Sequence, residues 1–137
     1  MILLVSASWP QRALIRAQLS ADTQLEVIGA DSCQSAVEWL ARQDFAVVVV
    51  DTAGLLPDPR LIDAIQARRT PVLVLTSASN RTEWTEATAG LEVKEIMARP
   101  VFIGDVTRSA ARLVIHKRGR DRPHPRDKQA SSSPMAG

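Results

Sequence analysis

The chain has 137 residues with 17 Lys/Arg against 15 Asp/Glu, a formal net charge of +2. Its one cysteine, Cys33, excludes a disulfide framework and a cysteine-based zinc cluster, and no apolar run is long enough to span a bilayer. The charge is uneven: residues 1–116 hold 11 Lys/Arg and 13 Asp/Glu, net −2, whereas residues 117–137 hold 6 Lys/Arg and 2 Asp, net +4. One domain over 1–116 with a basic tail over 117–137 is therefore expected, in a reducing, cytoplasmic setting. No basic start precedes an apolar segment, so no secretory leader is expected.

Ile2 to Val5 reads as a buried first strand, followed by the turn Ser6-Ala7-Ser8-Trp9-Pro10. Ser8 or Trp9 caps the next helix, Pro10 suits its first turn, and Ala13, Leu14, Ile15 and Ala17 form its apolar stripe. A second strand is expected over Leu25 to Ala30, with Asp22 in the turn before it. Ser32 caps a helix whose inner face is Ala36, Val37, Leu40 and Ala41. Then comes Phe45-Ala46-Val47-Val48-Val49-Val50-Asp51. Four consecutive valines would crowd a helical turn, so this run is a strand buried on both faces of a parallel sheet.

Asp58-Pro59 is a cap followed by proline at the first helical position, and Leu61, Ile62 and Ile65 recur at helical spacing. Pro71 to Leu75 is a fourth strand ending at Thr76. Asn80-Arg81-Thr82-Glu83 has the form of a capping box opening a helix to about Ala89, ended by Gly90. Lys94 to Ala98 is a fifth strand, stopped by Arg99-Pro100. The last helix spans Asp105 to about His116, with Val106, Ala110, Leu113 and Val114 inward. No apolar periodicity remains after it, so the tail reads as disordered. Five strand–helix alternations make a doubly wound α/β fold: a five-stranded parallel sheet in a three-layer α/β/α sandwich with right-handed crossovers.

Strand ends at the carboxyl edge of such a sheet are where ligands gather, and they carry Ser6, Asp51, Thr76 and Arg99. Asp51 either caps the turn after its strand or belongs to a site. In these features the chain resembles the receiver domains of bacterial response regulators, of the stand-alone chemotaxis type, over residues 1–116. The resemblance rests on Ile-Leu-Leu-Val in the first strand, Arg12 opening its helix, Val-Val-Val-Val-Asp ending in Asp51, Val-Leu-Val-Leu-Thr ending in Thr76, and Arg99-Pro100. It implies the flavodoxin-like strand order 2-1-3-4-5, Asp51 at the phospho-acceptor position, Thr76 at the family's hydroxyl, and Arg99-Pro100 where the family has Lys-Pro.

The departures are chemical. Ser6 and Ala7 stand where the family has a magnesium-binding acidic pair, Ile96 replaces its aromatic switch residue, and Leu55 occupies the place of a loop proline. Phosphoryl transfer to a carboxylate needs a divalent ion to offset phosphoryl charge, and here only Asp51 and a carbonyl such as that of Ala53 remain for one. Magnesium is expected to bind weakly at most, with no other cofactor. An Asp51–Arg99 ion pair is expected to neutralise the pocket of Ser6, Ala7, Thr76, Arg99 and Pro100. Such a pair suits either a metal-free signalling site or a lock that only stabilises the fold.

These residues read as those of a pseudo-receiver in two-component-type signalling, not an enzyme. Its expected work is phosphorylation-independent protein binding through the fourth helix, which carries Trp84, the fifth strand, which carries Ile96, and the fifth helix. The expected partner is a histidine kinase or a downstream effector, or a second copy of the chain in a homodimer; neither membrane nor nucleic acid is expected. Two alternatives stand beside this: an ordinary receiver phosphorylated on Asp51 in a phosphorelay, and a small-molecule or flavin-binding flavodoxin-like protein. Against the last, Ser6-Ala7-Ser8 lacks the glycine of a phosphate loop. Trp9 beside the site is either a ligand-stacking residue or, as expected here, a half-buried packing residue. Cys33 reads as a packing residue, and His116 and His124 lack a second metal ligand nearby.

Overall fold

The computed structural model describes the backbone of residues 1–121 and the side chains through residue 115. Strands and helices alternate throughout: β1 (Ile2–Ser6), α1 (Trp9–Thr23), β2 (Val27–Ala30), α2 (Cys33–Arg42), β3 (Val47–Asp51), α3 (Pro59–Arg68), β4 (Val72–Thr76), α4 (Arg81–Ala87), β5 (Lys94–Ala98) and α5 (Ile103–Asp121). All neighbouring strands are parallel, in the order β2-β1-β3-β4-β5. This is the doubly wound receiver fold read from the sequence.

The side-chain period of two explains why the three inner strands are continuously apolar. In β1, Leu3 and Val5 join one core with Val48, Val50, Val72 and Val74, while Ile2 and Leu4 join the other with Val47, Val49, Leu73 and Leu75. The first core is closed by Ala36 and Leu40 of α2, Leu61 and Ile65 of α3, and Trp84 of α4. The second is closed by Ile15 and Leu19 of α1 and by Val106, Ala110, Leu113 and Val114 of α5. Burial of each Leu, Ile or Val contributes about 1.5–3 kcal/mol, so the Val47–Val50 run is held from both sides and fixes where Asp51 emerges. Register then sets Ser6 of β1 beside Asp51.

Several local expectations are corrected. On α1 the buried residues are Ile15 and Leu19, whereas Ala13, Leu14 and Ala17 are exposed. A helical period defines parallel stripes without choosing between them, and an Ile/Leu pair removes more apolar area from water than two alanines. Asp22 lies inside α1, because the helix is closed only at Gln24, whose N–H still donates to the Ser20 carbonyl at 3.0 Å while its left-handed φ of 58° turns the chain away. β2 is shorter than expected, α4 ends at Ala87, Ala41 is exposed, and α5 starts at Ile103 and continues past His116 to Asp121. The disorder expected beyond that point falls outside the described residues.

Candidate functional site

Asp51 ends β3 with none of its surface exposed, and both of its oxygens are engaged. The Arg99 guanidinium donates through Nη2 to Oδ1. Ser6 Oγ donates to Oδ2 at 3.1 Å, and the Ala53 N–H reaches Oδ1 at 3.4 Å. Arg99 is set in place by its own backbone, whose N–H donates to the Thr76 carbonyl at 2.7 Å just before the cis Arg99–Pro100 bond. The side chain of Arg99 is 26% exposed, so the pair joins a fully buried carboxylate to a guanidinium at the rim. Contrary to the forked geometry arginine favours, only one nitrogen meets the carboxylate, and the buried Nε has no partner among the described residues.

A second guanidinium flanks the pocket. Arg12 Nη1 donates to the Ser6 carbonyl at 2.6 Å, turning back over the end of β1. The carboxyl edge thus carries one buried anion and two cations, the reverse of what attracts a hard cation. The donor set does not suit magnesium, which takes oxygen ligands and commonly more than one carboxylate in such a shell. Ser6 brings a hydroxyl already donated to Asp51, and Ala7 brings no side-chain donor. Among the described residues no group of three or more His, Cys, Asp or Glu side chains gathers to hold a metal.

The loop behind Asp51 is fastened by Asn80, which the sequence marked only as a helix cap. Asn80 does not cap α4 with its side chain. Its Oδ1 instead accepts from the Ser77 N–H at 3.0 Å and from Thr52 Oγ1 at 3.2 Å, and its Nδ2 donates to the Thr52 carbonyl at 3.1 Å. The loops after β3 and β4 are thereby tied together. Thr52 to Leu55 is a tight turn, with the Leu55 N–H donating to the Thr52 carbonyl at 2.9 Å and Gly54 at φ 73°. That positive φ is what calls for glycine. Asn followed two and three residues later by Thr and Glu reads locally as a cap, so only the approach of the two loops reveals its other partners.

Of the residues expected at the pocket, Ser6, Asp51 and Arg99 converge, with Pro100 adjoining. Thr76 is buried but turns to β5, its Oγ1 donating to the Met97 carbonyl at 3.3 Å. Ala7 and Ala53 are exposed on the two loops. Trp84 is corrected: none of it is exposed, and its Nε1 donates to the Leu55 carbonyl at 3.1 Å, so it presents nothing to a partner. A large ring next to a loop in search of a donor is drawn inward by both demands. Ile96 is half-buried against the α2–α3–α4 core. Trp9 is also corrected: it is 70% exposed, not half-buried. Cys33 is buried as expected, and burial together with the Asp58 charge pushes its thiol above the usual range.

No family model and no curated protein matches the sequence. Solved structures do match the fold. The receiver domain of NtrX from Brucella abortus aligns with a TM-score of 0.70 at 21% identity, over 84% of this chain and 98% of that one. The receiver domain of a sensor histidine kinase from Pseudomonas aeruginosa, which holds a magnesium ion in its active-site cleft, aligns at 0.67 and 23% identity over 82% and 95%. An adenylate cyclase structure from Rhodopirellula baltica aligns at 0.69 and 21% identity over 88% and 93%. At these identities the likeness establishes the fold.

Proposed function

We propose that this receiver-fold chain is a signalling module whose acceptor site has been converted into an internal ion pair, and that it acts by binding a partner protein without phosphorylation. The observation that carries this reading is the state of Asp51: buried, with Arg99 on one oxygen and Ser6 on the other. An acceptor carboxylate must offer an oxygen to phosphorus beside a divalent ion, and here the guanidinium occupies that side. The partner surface is the outer side of α4, β5 and α5 without Trp84, and the partner is a histidine kinase or an effector, or a second copy of the chain. A soluble, cytoplasmic place of action suits this reading, and among the described residues no helix is long and apolar enough to cross a membrane.

The test is incubation with a small phosphoryl donor and magnesium, followed by mass spectrometry. The unmodified chain is expected to persist, and magnesium is expected to produce no saturable change in tryptophan fluorescence at sub-millimolar concentration. A phosphoryl adduct on Asp51 at a rate comparable to that of active receivers would make the chain an ordinary phospho-acceptor instead.

A further inference from the structure

Beside the acceptor pocket, on the flank where α1 leans over the edge strand β2, lies an open groove of about 630 Å³. Its walls come from α1: Trp9, Arg12, Arg16 and Ser20, with Ala13 and Ala17 between them. Gly29 of β2 forms the opposite side. A Cβ there would stand 3.1 Å from Arg12 Cδ, so a side chain at this position would press the Arg12 arm outward by a few tenths of an ångström. Arg12 spends one nitrogen on the Ser6 carbonyl, while the Arg16 guanidinium has no ion pair or hydrogen bond among the described residues. No carboxylate lines the groove. The Trp9 ring at its end is 70% exposed, against the ordinary tendency of tryptophan to be covered.

We infer that this groove binds a mononucleotide, its base on Trp9 and its phosphate against Arg16 and the remaining nitrogens of Arg12. The volume is that of small-ligand sites. Helical geometry separates Trp9 from Arg16 by two turns, about 10 Å along the axis, which is the span from a stacked base to its phosphate. An exposed indole offers a stacking face that any base can use, and two unopposed guanidiniums recognise a phosphate through paired N–H donors. Exposed Ala13 and Ala17, which bury little themselves, keep the wall low enough for a flat ring. This site shares no residue with the Asp51–Arg99 pair and does not depend on how that pair is read.

The test is titration of the full chain, labelled with nitrogen-15, with adenosine monophosphate, following the Trp9 indole N–H and the Gly29 amide. Saturable shifts of both are expected, with a Kd below about 1 mM. Trp9→Ala and Arg16→Glu are each expected to weaken binding by about tenfold or more, and Leu14→Ala, on a part of α1 outside the groove, to leave it unchanged. Adenosine alone and inorganic phosphate alone are each expected to bind more weakly than the nucleotide. The proposal is overturned if neither reporter saturates, if both variants bind as the parent does, or if adenosine binds as well as its monophosphate. A short single-stranded RNA binding by orders of magnitude more tightly would likewise replace the mononucleotide with a strand.

Discussion

The Asp51 pocket and the α1–β2 flank lie side by side, and each holds a serine, arginines and a tryptophan close by, yet they have opposite fates. In the pocket, polar groups other than the Arg99 Nε are satisfied internally: Asp51 by Arg99 and Ser6, Thr52 by Asn80, and the Trp84 indole by the Leu55 carbonyl. On the flank the corresponding groups face water, with Trp9 open and Arg16 unopposed among the described residues. The pocket therefore spends its side chains on internal pairing, while those of the flank stay turned to solvent. Burying a polar group forces it to find a partner, because an unpaired one costs about 1–3 kcal/mol; exposure imposes no such demand.

The two tryptophans give the widest contrast. Trp84→Ala removes a fully buried ring and its hydrogen bond, and is expected to cost about 3–5 kcal/mol. Trp9→Ala is expected to stay within about 0.5 kcal/mol. Chemical denaturation of the two variants checks this, and a comparable loss from both would erase the distinction between the regions.

Next in size is the ion pair. Asp51→Ala and Arg99→Ala are each expected to destabilise by roughly 2–4 kcal/mol, because each leaves a charge unpaired at least partly out of water. The double variant should lose much less than the sum. Arg99→Lys should be mild, since only one guanidinium nitrogen meets the carboxylate and an ammonium can take its place. Additive losses in the cycle would mean that the two side chains do not support one another.

Asn80→Ala should cost about 1–2 kcal/mol by releasing the tie between the loops after β3 and β4. Amide hydrogen exchange should then rise in Thr52 to Leu55 and not in α1. A global increase instead would show that the tie holds the whole fold and not one corner of it.

The smallest effect concerns reactivity. Cys33 is 8% exposed and its thiol is pushed upward by burial and by the Asp58 charge, so less thiolate is present at neutral pH than in a free cysteine. Alkylation in the native state should be slow and should accelerate on unfolding. Native alkylation at the rate of a free thiol would place Cys33 at the surface.

The sequence by itself determined the order of elements, the parallel sheet and the end of β3 at Asp51. These follow from runs such as Val47 to Val50, where β-branched residues continuous over both faces have one comfortable home. It also determined the Asp58 cap of α3, because that bond reaches only as far as the Arg60 N–H, at 2.9 Å. The pairing of Asp51 with Arg99 was legible through the resemblance, since both occupy motif positions at strand ends. Tertiary structure alone decided which stripe of α1 faces the sheet, that Asn80 reaches Thr52 instead of capping its helix, that Arg12 turns back to the Ser6 carbonyl, and that Trp84 is hidden while Trp9 is not. Each of these depends on what approaches from a distant part of the chain. Local periodicity and capping rules constrain only neighbours within a turn or two, and they leave a polar or aromatic side chain several partners of nearly equal merit until packing brings one within reach.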